Sequence, residues 1–135
     1  MMDFTSAKDR LRVHTGLGAG TDGFLNMLRP YAGLKPDVFA DLAAAVVAVL
    51  PHLRGGAPLD HELINYLWGI CFYSRYWGLN PGGLLQSNNL ITPADVERLR
   101  TWVDAVDSAA AAALDGQDDT MALSLLKAIP ASGIQ

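Results

Sequence analysis

TPADVERLRTWVDAVDSAAAAALDG, residues 92–116, decides the fold class. Thr92 and Asp95 stand at the Thr-x-x-Asp spacing of a capping box in its Asp form, with Pro93 at the first helical position. Behind this start, at about 100° per residue, Val96, Leu99, Trp102, Val103, Val106, Ala110, Ala113 and Leu114 fall on one arc. Glu97, Arg100, Thr101, Asp104, Asp107 and Ser108 fall on the other, and Gly116 ends the pattern. The stretch reads as a surface helix that packs one face on a core, with Arg100 and Asp104 spaced for an i,i+4 pair.

No run of alternating β-branched residues bounded by hairpin turns appears elsewhere, whereas helical signals recur on both sides. Thr21–Tyr31 predicts a short helix capped by Thr21 or Asp22, with Phe24, Leu25, Leu28 and Tyr31 on one side and Pro30 limiting its length. A second helix starts at Pro36 and Asp37, carries Val38, Leu42, Ala45, Val46 and Val49 at helical spacing, and ends at Pro51. A third opens at Pro58 to Asp60, with Asp60 as N-cap, and runs to Trp77 before Gly78. Its apolar and aromatic residues, Leu63 to Trp77, surround the helical wheel, which predicts little solvent face and a place at the centre of the core. Residues 92–116 are the fourth helix, and Asp118 or Asp119 caps a last one, Thr120–Ala128, ahead of Pro130. The expected fold is an all-α, single-domain bundle of about five helices. Residues 1–135 form that one domain, with residues 1–20 flexible or partly helical and a long uncharged loop between helices three and four.

Composition narrows the function classes. Half of the 135 residues are apolar and 18% are charged, enough apolar content for a proper core and far from the disordered class. Cys71 is the lone cysteine, so no internal disulfide forms and a reducing compartment, the cytoplasm, is expected. The N-terminal MMDFTSAKDRLRV lacks the apolar run of a secretory signal. Leu63–Leu79, the most apolar stretch on this reading, is shorter than a membrane span and contains Asn65, Ser74 and Arg75. Arginine outnumbers lysine seven to three and there are 19 alanines, which suggests a bacterial source of high G+C content.

The net charge of −4 is unevenly placed: seven acids balance seven bases up to Ala94, and seven acids face three bases from Asp95 onward. Such an acidic last third repels nucleic acid and favours a basic partner, although a merely solvated acidic face has the same composition. An acidic amphipathic helix is also ill suited to a membrane surface.

Motifs for chemistry are weak. Gly18, Gly20 and Gly23 satisfy G-x-G-x-x-G, but RLRVHT before them makes a poor strand, so a flexible glycine loop is the better reading. His14, His52 and His61 are scattered, and DHE at residues 60–62 lacks metal-site spacing; no metal or cofactor is expected. Cys71 sits among Ile70, Phe72 and Tyr73 as a small hydrophobe. Asp104 and Asp107 lie in open water on the polar face, unsuited to general acid work.

The informative segment is RYWGLNPGGLLQSNNLITP, residues 75–93, which has no charge after Arg75. Tyr73, Arg75, Tyr76 and Trp77 are the residue types that dominate binding hot spots. Asn80, Gln86, Asn88 and Asn89 can hydrogen-bond neighbouring backbone or face a partner. In one reading Leu79, Leu84, Leu85, Leu90 and Ile91 plug the end of the bundle; in the other the segment presents an uncharged, aromatic-flanked surface. The expected function is a non-enzymatic protein-binding module of the immunity, antitoxin or adaptor kind. Its expected contact residues are Tyr73, Arg75, Tyr76, Trp77, Asn80, Gln86, Asn88, Asn89, Asp104 and Asp107, facing another, basic protein, with a homodimer open. The alternative is a small-molecule-binding domain in which Tyr66, Trp68, Phe72, Tyr73 and Trp77 line an apolar pocket and Arg75 or Asn65 orients the ligand.

Overall fold

The structure is a computed structural model and describes residues 2–17, 22–55 and 58–128. Gly18, Gly20, Thr21 and Pro130 lie outside the described residues, and with them the glycine motif and the Thr21 cap. The fold is all-α. In chain order come α1 (Phe4–His14), α2 (Phe24–Leu28), α3 (Pro36–Val49), a 3₁₀ turn (Leu50–Leu53) and α4 (His61–Ser74). A π-helical turn (Arg75–Leu79), α5 (Leu84–Ser87), α6 (Pro93–Leu114) and α7 (Thr120–Ala128) complete it.

The helix starts follow their capping residues. Asp3 Oδ1 accepts from Ser6 N at 2.8 Å, Asp60 Oδ1 from Leu63 N at 3.1 Å, and Asp119 Oδ1 from Ala122 N at 3.0 Å. Thr92 Oγ1 caps α6 by accepting from Asp95 N at 3.1 Å. The box is not reciprocal, because the Asp95 carboxylate accepts from the Tyr31 hydroxyl at 2.8 Å and so ties the α2–α3 connection to α6. Gly116, at φ +74°, ends α6 in the left-handed region, where its N–H and that of Gln117 satisfy Ala113 O and Ala112 O.

One hydrophobic core spans the helices. α3 packs on α1, α2, α6 and α7, and of Ala40, Ala44 and Ala48, which share a side away from Val38 and Leu42, only Ala44 is exposed. With the 3₁₀ turn it makes an 18-residue stretch of mean hydropathy 1.5, apolar and long enough to cross a membrane by composition alone. Here it is the central helix, with Asp41 ion-paired to Arg10 and hydrogen-bonded to His14. The N-terminal segment supplies α1, whose Ala7, Leu11 and His14 are buried, so most of residues 1–20 belong to the bundle.

Three expectations are corrected. α2 is five residues long, with Gly23 at its N-cap, and all of Phe24, Leu25, Met27 and Leu28 are buried. α4 is not the centre of the core: one side is buried through Leu63, Tyr66, Leu67, Ile70 and Cys71, while Trp68 and Phe72, with Tyr76 of the π-turn behind them, are open to water. Aromatic residues satisfy an apolar count without being interior, and here they shield one another instead. The long loop is not irregular throughout, since the π-turn and α5 occupy much of it; Leu79, Leu85 and Ile91 plug the bundle, whereas Leu84 and Leu90 are exposed.

Candidate functional site: the groove between α4 and α6

The sequence expectation centred on Arg75, and the structure places it at the junction of α4 and the π-turn, facing α6. Its guanidinium donates to Asp104 Oδ1 from one terminal nitrogen and to Asp107 Oδ2 from the other, each at 2.8 Å. The expected Arg100–Asp104 pair does not form; Arg100 approaches Glu97 at 3.6 Å instead. Asp104 and Asp107 therefore do not stand in open water alone, and Arg75 is no free cation. All three side chains are 40–57% exposed, so the cluster contributes about 1 kcal/mol or less. Its role is positional: it joins the two helices at one end of a groove.

The groove lies between α4 and α6 and encloses about 580 Å³. Trp68, Phe72 and Tyr76 form one wall. Spaced i, i+4, i+8 on one helix face, their rings come into register and stack: Trp68 on Phe72 at 4.6 Å and 9°, Phe72 on Tyr76 at 5.7 Å and 10°. Trp68 is 58% exposed and Tyr76 56%. The opposite wall is α6, from Val106 and Asp107 through Ala110 and Ala111 to Leu114. Leu53, Ile64, Leu67 and Cys71 also line the groove, and Asn80 borders it.

The other expected residues are arranged differently. Tyr73 and Trp77 do not line the groove; their rings meet at 5.1 Å, and the guanidinium of the exposed Arg29 lies 5.4 Å from the ring centre of the half-buried Trp77, a cation–π contact. The loop amides serve backbone. Asn80 Oδ1 accepts from Gly82 N, Gln86 Nε2 donates to Gly78 O, and Asn88 Nδ2 donates to Leu84 O. Asn89 holds a left-handed turn at φ 57°, which asparagine tolerates. Gly83 is required because a Cβ there would run into the carbonyl oxygens of Tyr76, Asn80 and Trp77, so the loop lies directly on the π-turn. Of the ten expected contact residues, Arg75, Tyr76, Asn80, Asp104 and Asp107 come together at the groove. Gln86, Asn88 and Asn89 do not.

Trp68 and Phe72 belong to the exposed wall, although the sequence points to them only as pocket candidates. The signal was their i, i+4, i+8 spacing with Tyr76. Of the pocket set, Tyr66 and Tyr73 do not line the groove, and neither does Asn65; Arg75 does.

Cys71 is 8% exposed on the groove floor. Burial pushes its thiol up to about 12, and the Asp107 carboxylate adds to the effect. The thiol therefore stays protonated at pH values where an ordinary cysteine is partly thiolate. Its reaction with a disulfide reagent at mildly alkaline pH is expected to be on the order of a hundredfold slower, or more, than in the urea-unfolded chain. A native rate close to the unfolded one would show that the groove floor is open to water.

Elsewhere, His14 has both ring nitrogens engaged, and His52 packs its ring on Phe4 at 4.2 Å. Asp60 and Glu62 both accept from Lys8 at 2.9 Å. Among the described residues, no three His, Cys, Asp or Glu side chains are grouped to hold a metal ion. Comparison of the chain with protein-family models, with curated proteins and with solved structures finds no match in any of the three.

Proposed function

We propose that this chain is a non-enzymatic protein-binding module, of the kind used as immunity proteins, antitoxins or adaptors, and that it docks its partner in the α4–α6 groove. The observation that carries this reading is the stacked, exposed Trp68–Phe72–Tyr76 wall. A soluble domain that leaves three adjoining rings in water forgoes their burial, and tryptophan and tyrosine over a small-residue wall are the usual anchors of an interface. A free, reduced Cys71 fits a cytoplasmic setting.

Tagged protein recovered from its native cell should bring one stoichiometric protein with it. Trp68→Ala/Tyr76→Ala should lose that protein, and Trp77→Ala, altered outside the groove, should keep it. Retention by the double variant would remove the groove from the interface.

The groove volume favours a second reading, because about 580 Å³ lies within the range of small-ligand sites. A neutral apolar ligand suits it better than an anion, since Arg75 already serves two carboxylates. Thermal-shift screening in which stabilisation vanishes on Trp68→Ala would favour this reading.

A further inference from the structure

We infer that the groove's occupant is an amphipathic α-helix flanked by lysine or arginine; this rests on the reading that the groove docks a protein. Three observations point to that chemistry. The first is the backbone of the walls. One is α4 continued by the π-turn and the other is α6, and their peptide groups bond within the helices, so the groove offers no main-chain partner to an extended peptide. A helix brings its own backbone bonds and asks only for side-chain contact.

The second is shape. Trp68 to Tyr76 and Val106 to Leu114 each span about 12 Å along a helix axis, the length over which a bound helix presents two to three apolar anchors on one face. Ala110 and Ala111 carry nothing beyond Cβ on the α6 wall, so an incoming helix can lie close there while the opposite rings cover its side.

The third is charge. Between Leu63 and Asn80 the only charged side chain is Arg75, and between Thr101 and Gly116 there are Asp104, Asp107 and Asp115 with no cation. Two carboxylates, Asp104 and Asp107, thus share one guanidinium at 2.8 Å, which leaves a negative charge in excess at that end of the groove. A basic flank complements this rim, whereas a second copy of the chain would bring the same negative rim to it.

The test uses two end-capped helical peptides about four turns long, with leucine at i, i+3, i+4 and i+7 and either lysine or glutamate elsewhere. Each carries a fluorophore, and binding to the full chain is followed by anisotropy at moderate salt. The lysine peptide is expected to bind at least about tenfold more tightly than the glutamate peptide. Asp104→Asn/Asp107→Asn should remove most of that preference, and Trp68→Ala/Tyr76→Ala should lower the affinity for the lysine peptide by at least about tenfold. Those rings are exposed, so the double variant keeps its fold, as circular dichroism can verify.

Equal binding of the two peptides overturns the basic flank. Failure of both, with the native partner still lost on Trp68→Ala/Tyr76→Ala, overturns the helical occupant and leaves the docking reading standing. Lysine-peptide binding untouched by that double variant overturns both. Sedimentation showing a dimer that Trp68→Ala/Tyr76→Ala dissociates would make the occupant a second copy and overturn the inference.

Discussion

Trp102→Ala is expected to lower the free energy of unfolding by about 4 kcal/mol. The indole is 6% exposed, lies flat on Phe39 at 4.6 Å and 3°, and meets Phe24 at 6.3 Å and 57°. It therefore joins α6 to α3 and α2, and its removal leaves a cavity bounded by two rings that sit in their own helices and cannot follow it. Trp68→Ala removes the same side chain from a site 58% exposed, with only its stack on Phe72 to lose, and is expected to lower stability by about 1 kcal/mol. Urea unfolding followed by far-UV circular dichroism separates the two. Similar losses in both variants would mean that the α4 rings support the core and are not reserved for a partner.

That contrast marks how far the sequence could be read. α6 was legible almost residue by residue, because one apolar arc at helical spacing, a Thr92 cap and a terminal Gly116 agree with one another. Of its expected inner face, only Leu114 is exposed. α4 was misread in its interior, since Trp68 and Trp102 are the same letter: periodicity says which residues share a face, and only the neighbouring helices say whether that face is covered. The pairing of Arg75 was hidden for a related reason. Asp104 stands four residues from Arg100 and 29 from Arg75, and sequence spacing reports the first distance while the fold decides the second. The loop amides were legible as backbone partners in kind, but the π-turn they close, with Gln86 on Gly78 O and Gly83 pressed on Tyr76 O, has no local signature. α1 has no clear pattern in the sequence because its polar residues outnumber its buried ones, and it is held through Ala7, Leu11 and His14.

His14 is the residue whose loss should matter next most, and its effect can be divided. The ring is fully buried; Nδ1 accepts from Phe24 N at 2.9 Å, so it carries the lone pair, and Nε2 therefore carries the proton and donates to Asp41 Oδ2 at 2.7 Å. His14→Ala is expected to lower stability by about 3 kcal/mol, by opening a cavity and leaving the Phe24 N–H without its acceptor. His14→Asn places an oxygen near the Nδ1 position and should recover part of that loss. His14→Gln, reaching toward the Nε2 position, should recover less, because Asp41 keeps Arg10 at 2.9 Å and some access to water. Acid unfolding provides a second readout. The His14 hydrogen bond, with Arg10 assisting, holds the Asp41 carboxyl below its ordinary value of 3.8. The stability this adds is complete above that value and fades as pH falls through it toward the lowered one. Without His14 the Asp41 carboxyl moves back toward its ordinary value, so this contribution is missing at neutral pH and there is less of it to lose: around and below pH 3.8 the stability of His14→Ala should fall less steeply than that of the parent. Asn recovering no more than Gln would show that the bond to Asp41, and not the seat of α2 on the imidazole, is what the buried histidine supplies.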